Sequence, residues 1–137
     1  MNRSDLQNLT KLRLKEARNL IKNKMYSGAY YLSGYAIECA IKSCIAKKIN
    51  QYDFPNKFLA IDSYTHDYIK LLKAADLSNP LSNEVRVNSN FSVKWSVVKD
   101  WNASSRYELH NSKKARDMYN SIVNKKYGVL KWIMQYW

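Results

Sequence analysis

From Ala29-Tyr30-Tyr31-Leu32 through Ile45-Ala46 the chain offers apolar side chains on almost every side of a helix. Such a helix has no face to give to water, so other elements must enclose it. Gly34, Ala36, Ala40 and Ala46 are small enough for neighbouring helices to approach closely. The run is about as long as a membrane span. Glu38, Lys42 and serines interrupt it, which favours the centre of a helical bundle over a bilayer. The chain holds only 3 Gly and 2 Pro, too few for a turn-rich β-sandwich or barrel. At 137 residues it can bury a core without disulfide or metal. A single domain over 1–137 is expected.

The flanking periodicities agree. Leu6, Leu9, Leu14, Ala17, Leu20, Ile21 and Met25 cover one side of a first helix, capped by Ser4 and running to about Lys24. Lys11, Lys15, Arg18 and Lys22 cover the other side, and Arg13 falls inside the apolar arc. Ser27 is the expected cap of the second helix, which runs to about Ile49. Residues 50–64 read as a connection around Asp53-Phe54-Pro55, with one turn near Lys57–Ile61. Thr65 is the expected cap of a third helix from His66 to about Asp76, with Tyr68, Leu72 and Ala75 inward. Ser78-Asn79-Pro80 is a turn signal. Residues 81–101 predict one broken or two short helices, with a short strand near Val93–Val98 as the alternative. Residues 102–111 are polar and expected to be irregular. A final helix is expected from Ser112 almost to Trp137. The fold class is therefore all-α: an up-and-down antiparallel bundle of four principal helices plus one or two short ones.

Charge is concentrated at the ends. The net charge is +12, and residues 1–50 carry 10 basic against 3 acidic side chains. Residues 51–100 balance at 6 and 6, and residues 101–137 carry 7 and 2. Packed side by side, the terminal helices would make one basic face that attracts phosphate polymers, or simply a solvated surface.

No Gly-rich phosphate loop, H-E-x-x-H or serine-triad elbow is present. Cys39 and Cys44 lie too far apart around a helix to bridge and read as buried small residues. No metal site or cofactor is expected. The N-terminus has no signal-peptide core, so the N-x-S/T matches at Asn8, Asn90 and Asn102 read as chance and a cytoplasmic location is expected.

The two histidines, His66 and His110, limit acid–base chemistry. His66 reads as an anchor for the start of its helix. Arg106 and His110 stand at i,i+4, and on one helical face they would suit metal-independent RNA cleavage. The histidine would move the proton and the guanidinium would stabilise phosphate charge. Alternatively, Arg106 pairs with a carboxylate and Tyr107 packs inward, latching the loop to the core. His110→Ala would then hardly affect stability. Lys113, Lys114 and Arg116 follow as candidate phosphate contacts. Arg13, Glu38, Lys42 and Tyr107 are candidate structural polar residues, with Glu38 paired to Arg13 or Lys42 in the interior.

The stretch Ala29-Tyr-Tyr-Leu-Ser-Gly34-Tyr-Ala36-Ile-Glu38-Cys-Ala-Ile-Lys42 resembles the second helix of HEPN domains, the higher eukaryotes and prokaryotes nucleotide-binding family. Thr65-His66-Asp67-Tyr68 resembles the start of that family's next helix, and Trp101 with Ser105-Arg106-Tyr107 its C-terminal part. The resemblance covers about residues 5–135. It implies an all-α bundle that usually dimerises, so a homodimer is expected. Many members are RNases of toxin–antitoxin or defence systems, with a motif of Arg, four to six residues, then His. Arg106 matches the Arg and His110 is the candidate His, with three residues between them and Tyr107 after the Arg. Other members lack the motif and act as interaction modules beside an antitoxin or a nucleotidyltransferase. Both roles are expectations for this chain.

Overall fold

A computed structural model describes residues 1–49 and 63–137. The connection expected around Asp53–Pro55 and the turn at Lys57–Ile61 lie outside the described residues. Helix α1 spans Arg3–Lys22 and α2 spans Tyr26–Lys48. Three shorter helices follow: α3 at Tyr68–Ala74, α4 at Ser78–Val87 and α5 at Ser89–Val98. A 3-10 helix covers Ala103–Tyr107, then come α6 at Ser112–Val123 and α7 at Val129–Met134. Among the described residues there is no strand, so Val93–Val98 is helical. The protein is an all-α helical bundle, and none of its described helices is long and apolar enough to cross a membrane.

Helix α2 is the centre. It packs against α1, α3, the 3-10 helix, α6 and α7, as its all-round apolar surface requires. Ile37, Ile41 and Ile45 of α2 meet Leu14 and Ile21 of α1, Leu71 of α3, and Met118 and Ile122 of α6 in one core. α1 also touches α6, so the two basic ends of the chain are neighbours.

Gly34 lets the 3-10 region approach α2. A Cβ there would lie 2.2 Å from the Trp101 ring. The Tyr68 hydroxyl donates to the Gly34 carbonyl, and Tyr68 and Trp101 stack with centroids 5.2 Å apart. One glycine thus admits both aromatics that join α3 and the 3-10 helix to the centre.

The caps differ from several expectations. Asn2, not Ser4, caps α1, in a reciprocal box with Asp5 that satisfies two orphan N–H groups. Thr65 does not cap α3. Asp67 does, accepting from the amides of Ile69 and Lys70. Ser27 lies inside α2, and its hydroxyl is used elsewhere, as described below. Ser78-Asn79-Pro80 is the first turn of α4 rather than a loop. A proline is tolerated there because first-turn amides have no intrahelical partner.

The long final helix is two helices. The Asn124 side chain accepts from the amides of Lys126 at 3.1 Å and Tyr127 at 2.8 Å, replacing the helical ladder with a local turn. At Gly128 a Cβ would lie 2.4 Å from the Asn124 carbonyl, so the turn requires glycine. Met25, expected inward, is exposed just after the left-handed Lys24 that turns the chain from α1 into α2.

Candidate nucleic-acid interface

The segment from Asn102 to Asn111 is built by short-range caps. The Asn102 side chain accepts from the Ser104 amide at 3.0 Å and starts the 3-10 helix. The Asn111 side chain accepts from the Lys114 amide at 2.9 Å and starts α6. Between them, the His110 amide donates to Ser27 Oγ at 2.9 Å, which ties the loop to the first turn of α2.

This geometry gives Arg106 and His110 different surroundings. Arg106 is exposed on the 3-10 helix, its guanidinium 5.0 Å from the Tyr107 ring. Hydrogen bonding to Tyr107, then to Tyr31, raises its pKa. His110 lies beyond the 3-10 helix, with its side chain only 2% exposed. Its ring stacks on Tyr30 at a centroid distance of 3.9 Å. Neither ring nitrogen has a hydrogen-bond partner among the described residues, and the Glu108 carboxylate stands 3.6 Å from Nε2. The single helical face expected for Arg106 and His110 is not formed, because the chain leaves the 3-10 helix at Glu108. The latch differs as well. Arg106 meets tyrosines rather than a carboxylate, and Tyr107 is 80% exposed instead of packed inward.

The α6 cations lie beside α2 tyrosines. Lys114 Nζ is 5.3 Å from the Tyr30 ring centroid, and the Arg116 guanidinium is 5.9 Å from that of Tyr26. Hydrogen bonding to Ser112, then to Arg116, lowers the Tyr26 pKa, and Lys24 in the turn between α1 and α2 adds to the effect. Cations from both chain ends therefore converge on Tyr26. Lys113 pairs with Asp117 at 2.6 Å on the exposed side of α6. Burial, then the carboxylates of Asp100 and Glu108, raises the Tyr30 pKa.

Arg13 does not reach Glu38. It contacts both carboxylate oxygens of Glu16, at 2.8 and 2.9 Å, with the Tyr35 ring 6.0 Å away. The local i,i+3 partner wins because it lets the charge stay half-exposed. The other expected partner of Glu38 is present: Lys42 Nζ donates to Oε1 at 2.8 Å. The same oxygen meets His66 Nδ1 at 2.8 Å, an interaction not foreseen from the sequence. A lone histidine ahead of a helix, with a buried Glu 28 residues earlier, was the only available signal. Glu38 is 2% exposed, and its Oε2 has no hydrogen-bond partner among the described residues.

His66 lines a cleft of about 530 Å³ between the start of α3 and the link from α5 to the 3-10 helix. Thr65, Lys99, Asp100, Trp101 and Ser104 are among its walls. Among the described residues, no group of three His, Cys, Asp or Glu side chains could hold a metal ion. Cys39 and Cys44 are buried free thiols, each pushed up to about 11 by burial.

The family model described as HEPN domain matches residues 10–136. Comparison with curated proteins and with solved structures gives no match.

Proposed function

The chain belongs to the HEPN domain family, and from that premise we propose that residues 1–137 form one RNA-associated module of the metal-independent ribonuclease kind, serving a toxin–antitoxin or defence system. One observation carries the reading. The basic ends of the chain meet where α1 touches α6, with Lys24, Lys114 and Arg116 set against Tyr26 and Tyr30. Exposed cations beside the partly exposed Tyr26 suit a single strand, because phosphates release counterions and a base can stack on an accessible ring, while the buried Tyr30 only seats Lys114. Lys113 and Arg106 extend the same role to neighbouring phosphates.

The test is fluorescence anisotropy of a labelled single-stranded RNA oligonucleotide across a salt series. Binding should weaken steeply with salt. The Lys114→Glu, Arg116→Glu double variant should bind less tightly, with a salt slope lower by about one per lost phosphate contact. A salt-independent signal, or unchanged binding by the double variant, rules the surface out.

A second reading rests on the loop beside that surface. Tyr107 and Leu109 are 80% and 95% exposed, and large apolar side chains presented together suit a protein partner. In that reading the chain is a non-enzymatic module for a second copy of itself, an antitoxin or a nucleotidyltransferase. Light scattering of wild type and Leu109→Asp tests self-association, and co-purification with a co-encoded protein tests the others.

A further inference from the structure

Metal-independent RNA cleavage needs a basic group that can reach the ribose 2′-hydroxyl. Of the two imidazoles, His110 is stacked on Tyr30 with its side chain 2% exposed. The side chain of His66 is 56% exposed and lines the cleft. Behind His66, Glu38 Oε1 accepts from Lys42 and therefore faces the Nδ1 of His66 as an acceptor too. Nδ1 then carries the proton of the neutral ring, and Nε2 on the opposite side is left as the basic nitrogen.

We propose that His66, oriented by the buried Glu38, is the proton acceptor in this protein's RNA cleavage, acting from the cleft between the start of α3 and the 3-10 helix. The inference rests on the ribonuclease reading above and assigns its chemistry to a different histidine from His110. His66 Nε2 takes the 2′-hydroxyl proton as the 2′-oxygen attacks the adjacent phosphorus. The O2′–P bond forms and the P–O5′ bond breaks. The leaving 5′-oxygen takes a proton from water, and His66 returns its own proton to the hydroxide left behind. The products are a 2′,3′-cyclic phosphate and a 5′-hydroxyl. The charged cleft walls are His66, Asp67, Lys99 and Asp100. Asp67 is engaged in capping α3, while Lys99 supplies a cation for the phosphate. Glu38 and Lys42 do not touch the substrate in this scheme. They are positioning residues.

The experiment incubates the purified chain with single-stranded RNA in EDTA and follows cleavage beside anisotropy. His66→Gln should bind RNA but lose roughly 10²–10⁴-fold in cleavage. His110→Phe, which keeps a ring against Tyr30, should still cleave. Glu38→Gln keeps the shape and removes the charge, so it should lower kcat with little change in KM. Should His66→Gln fail to fold, carbethoxylation of the wild type decides. Cleavage should fall in step with modification of His66 and return with hydroxylamine. Cleavage that survives His66→Gln or complete His66 modification overturns the inference. So does a wild type that binds RNA without cutting it, which leaves the RNA-association reading intact. A wild type that binds no RNA overturns both.

Discussion

His110 lies nearly flat against Tyr30, with ring centroids 3.9 Å apart and planes 29° from parallel. Its backbone amide is bonded to Ser27 one turn earlier on α2. The loop ahead of α6 is therefore held to α2 by an imidazole used as a packing ring. That use leaves the His110 side chain only 2% exposed.

His110→Ala should destabilise the protein by about 2–3 kcal/mol, combining a cavity with a lost ring contact. This reverses the small effect expected when the residue is read as exposed. Urea unfolding measures it, and His110→Phe should recover most of the loss. A change below about 0.5 kcal/mol in His110→Ala would show that the ring is not part of the core.

Glu38→Ala removes the carboxylate shared by Lys42 and His66. Breaking a fully buried pair costs about 3–5 kcal/mol and an exposed one under about 1. Lys42 is 22% exposed and His66 56%, so both can partly rehydrate. The expected loss is about 2–4 kcal/mol by denaturant titration. An Arg13→Ala control should cost less than about 1 kcal/mol, since its pair with Glu16 faces water. Equal losses in the two variants would contradict these pairings.

Gly34→Ala should be among the most damaging small substitutions. Its Cβ would overlap the Trp101 indole, which is itself buried and stacked on Tyr68. Overpacking of this kind costs about 1–3 kcal/mol. Thermal melting of Gly34→Ala beside Gly28→Ala is the comparison, because the Cβ at Gly28 meets only the end of the Leu20 side chain at 3.3 Å. A Tm for Gly34→Ala at or above that of Gly28→Ala would refute the close approach.

Alkaline pH should weaken the fold. Burial holds Cys39 and Cys44 at about 11, above the ordinary thiol value of 9.0, and holds Tyr68 well above its own. A raised folded pKa means that above pH 9 the unfolded chain sheds protons that the folded chain keeps. Stability from the thiols is then complete below about pH 9 and declines towards pH 11, by an order of 2 kcal/mol per thiol. Unfolding midpoints from pH 7 to 11 should fall for the wild type and fall less for a Cys39→Ala, Cys44→Ala double variant. A double variant with an unchanged pH slope would place the effect elsewhere.

What the sequence by itself determined was local. The apolar circumference of α2 was legible as burial, since a helix without a polar face can only be a centre. The inward sides of α1, α3 and α6 were legible from their period for the same reason: side chains three and four apart share a face whatever surrounds them. The Lys42–Glu38 pair was readable because its residues are one helical turn apart. The breaks were readable only in part. Asn124 and Gly128 carried the signal for dividing the last helix, but the apolar period runs through them. Other features depended on how the helices dock. Arg13 lies in the apolar arc of α1, yet its partial exposure lets the local Glu16 serve as its partner. His66 and Glu38 meet only because α3 lies against α2, bringing residues 28 apart in the chain to 2.8 Å. Arg106 and His110 stand four apart but share no helical face, because the 3-10 helix ends between them and Tyr30 takes the imidazole. Helical periodicity depends on short-range backbone geometry and so is written in neighbouring residues. Which histidine faces solvent depends on the packing of whole helices, which no local spacing contains.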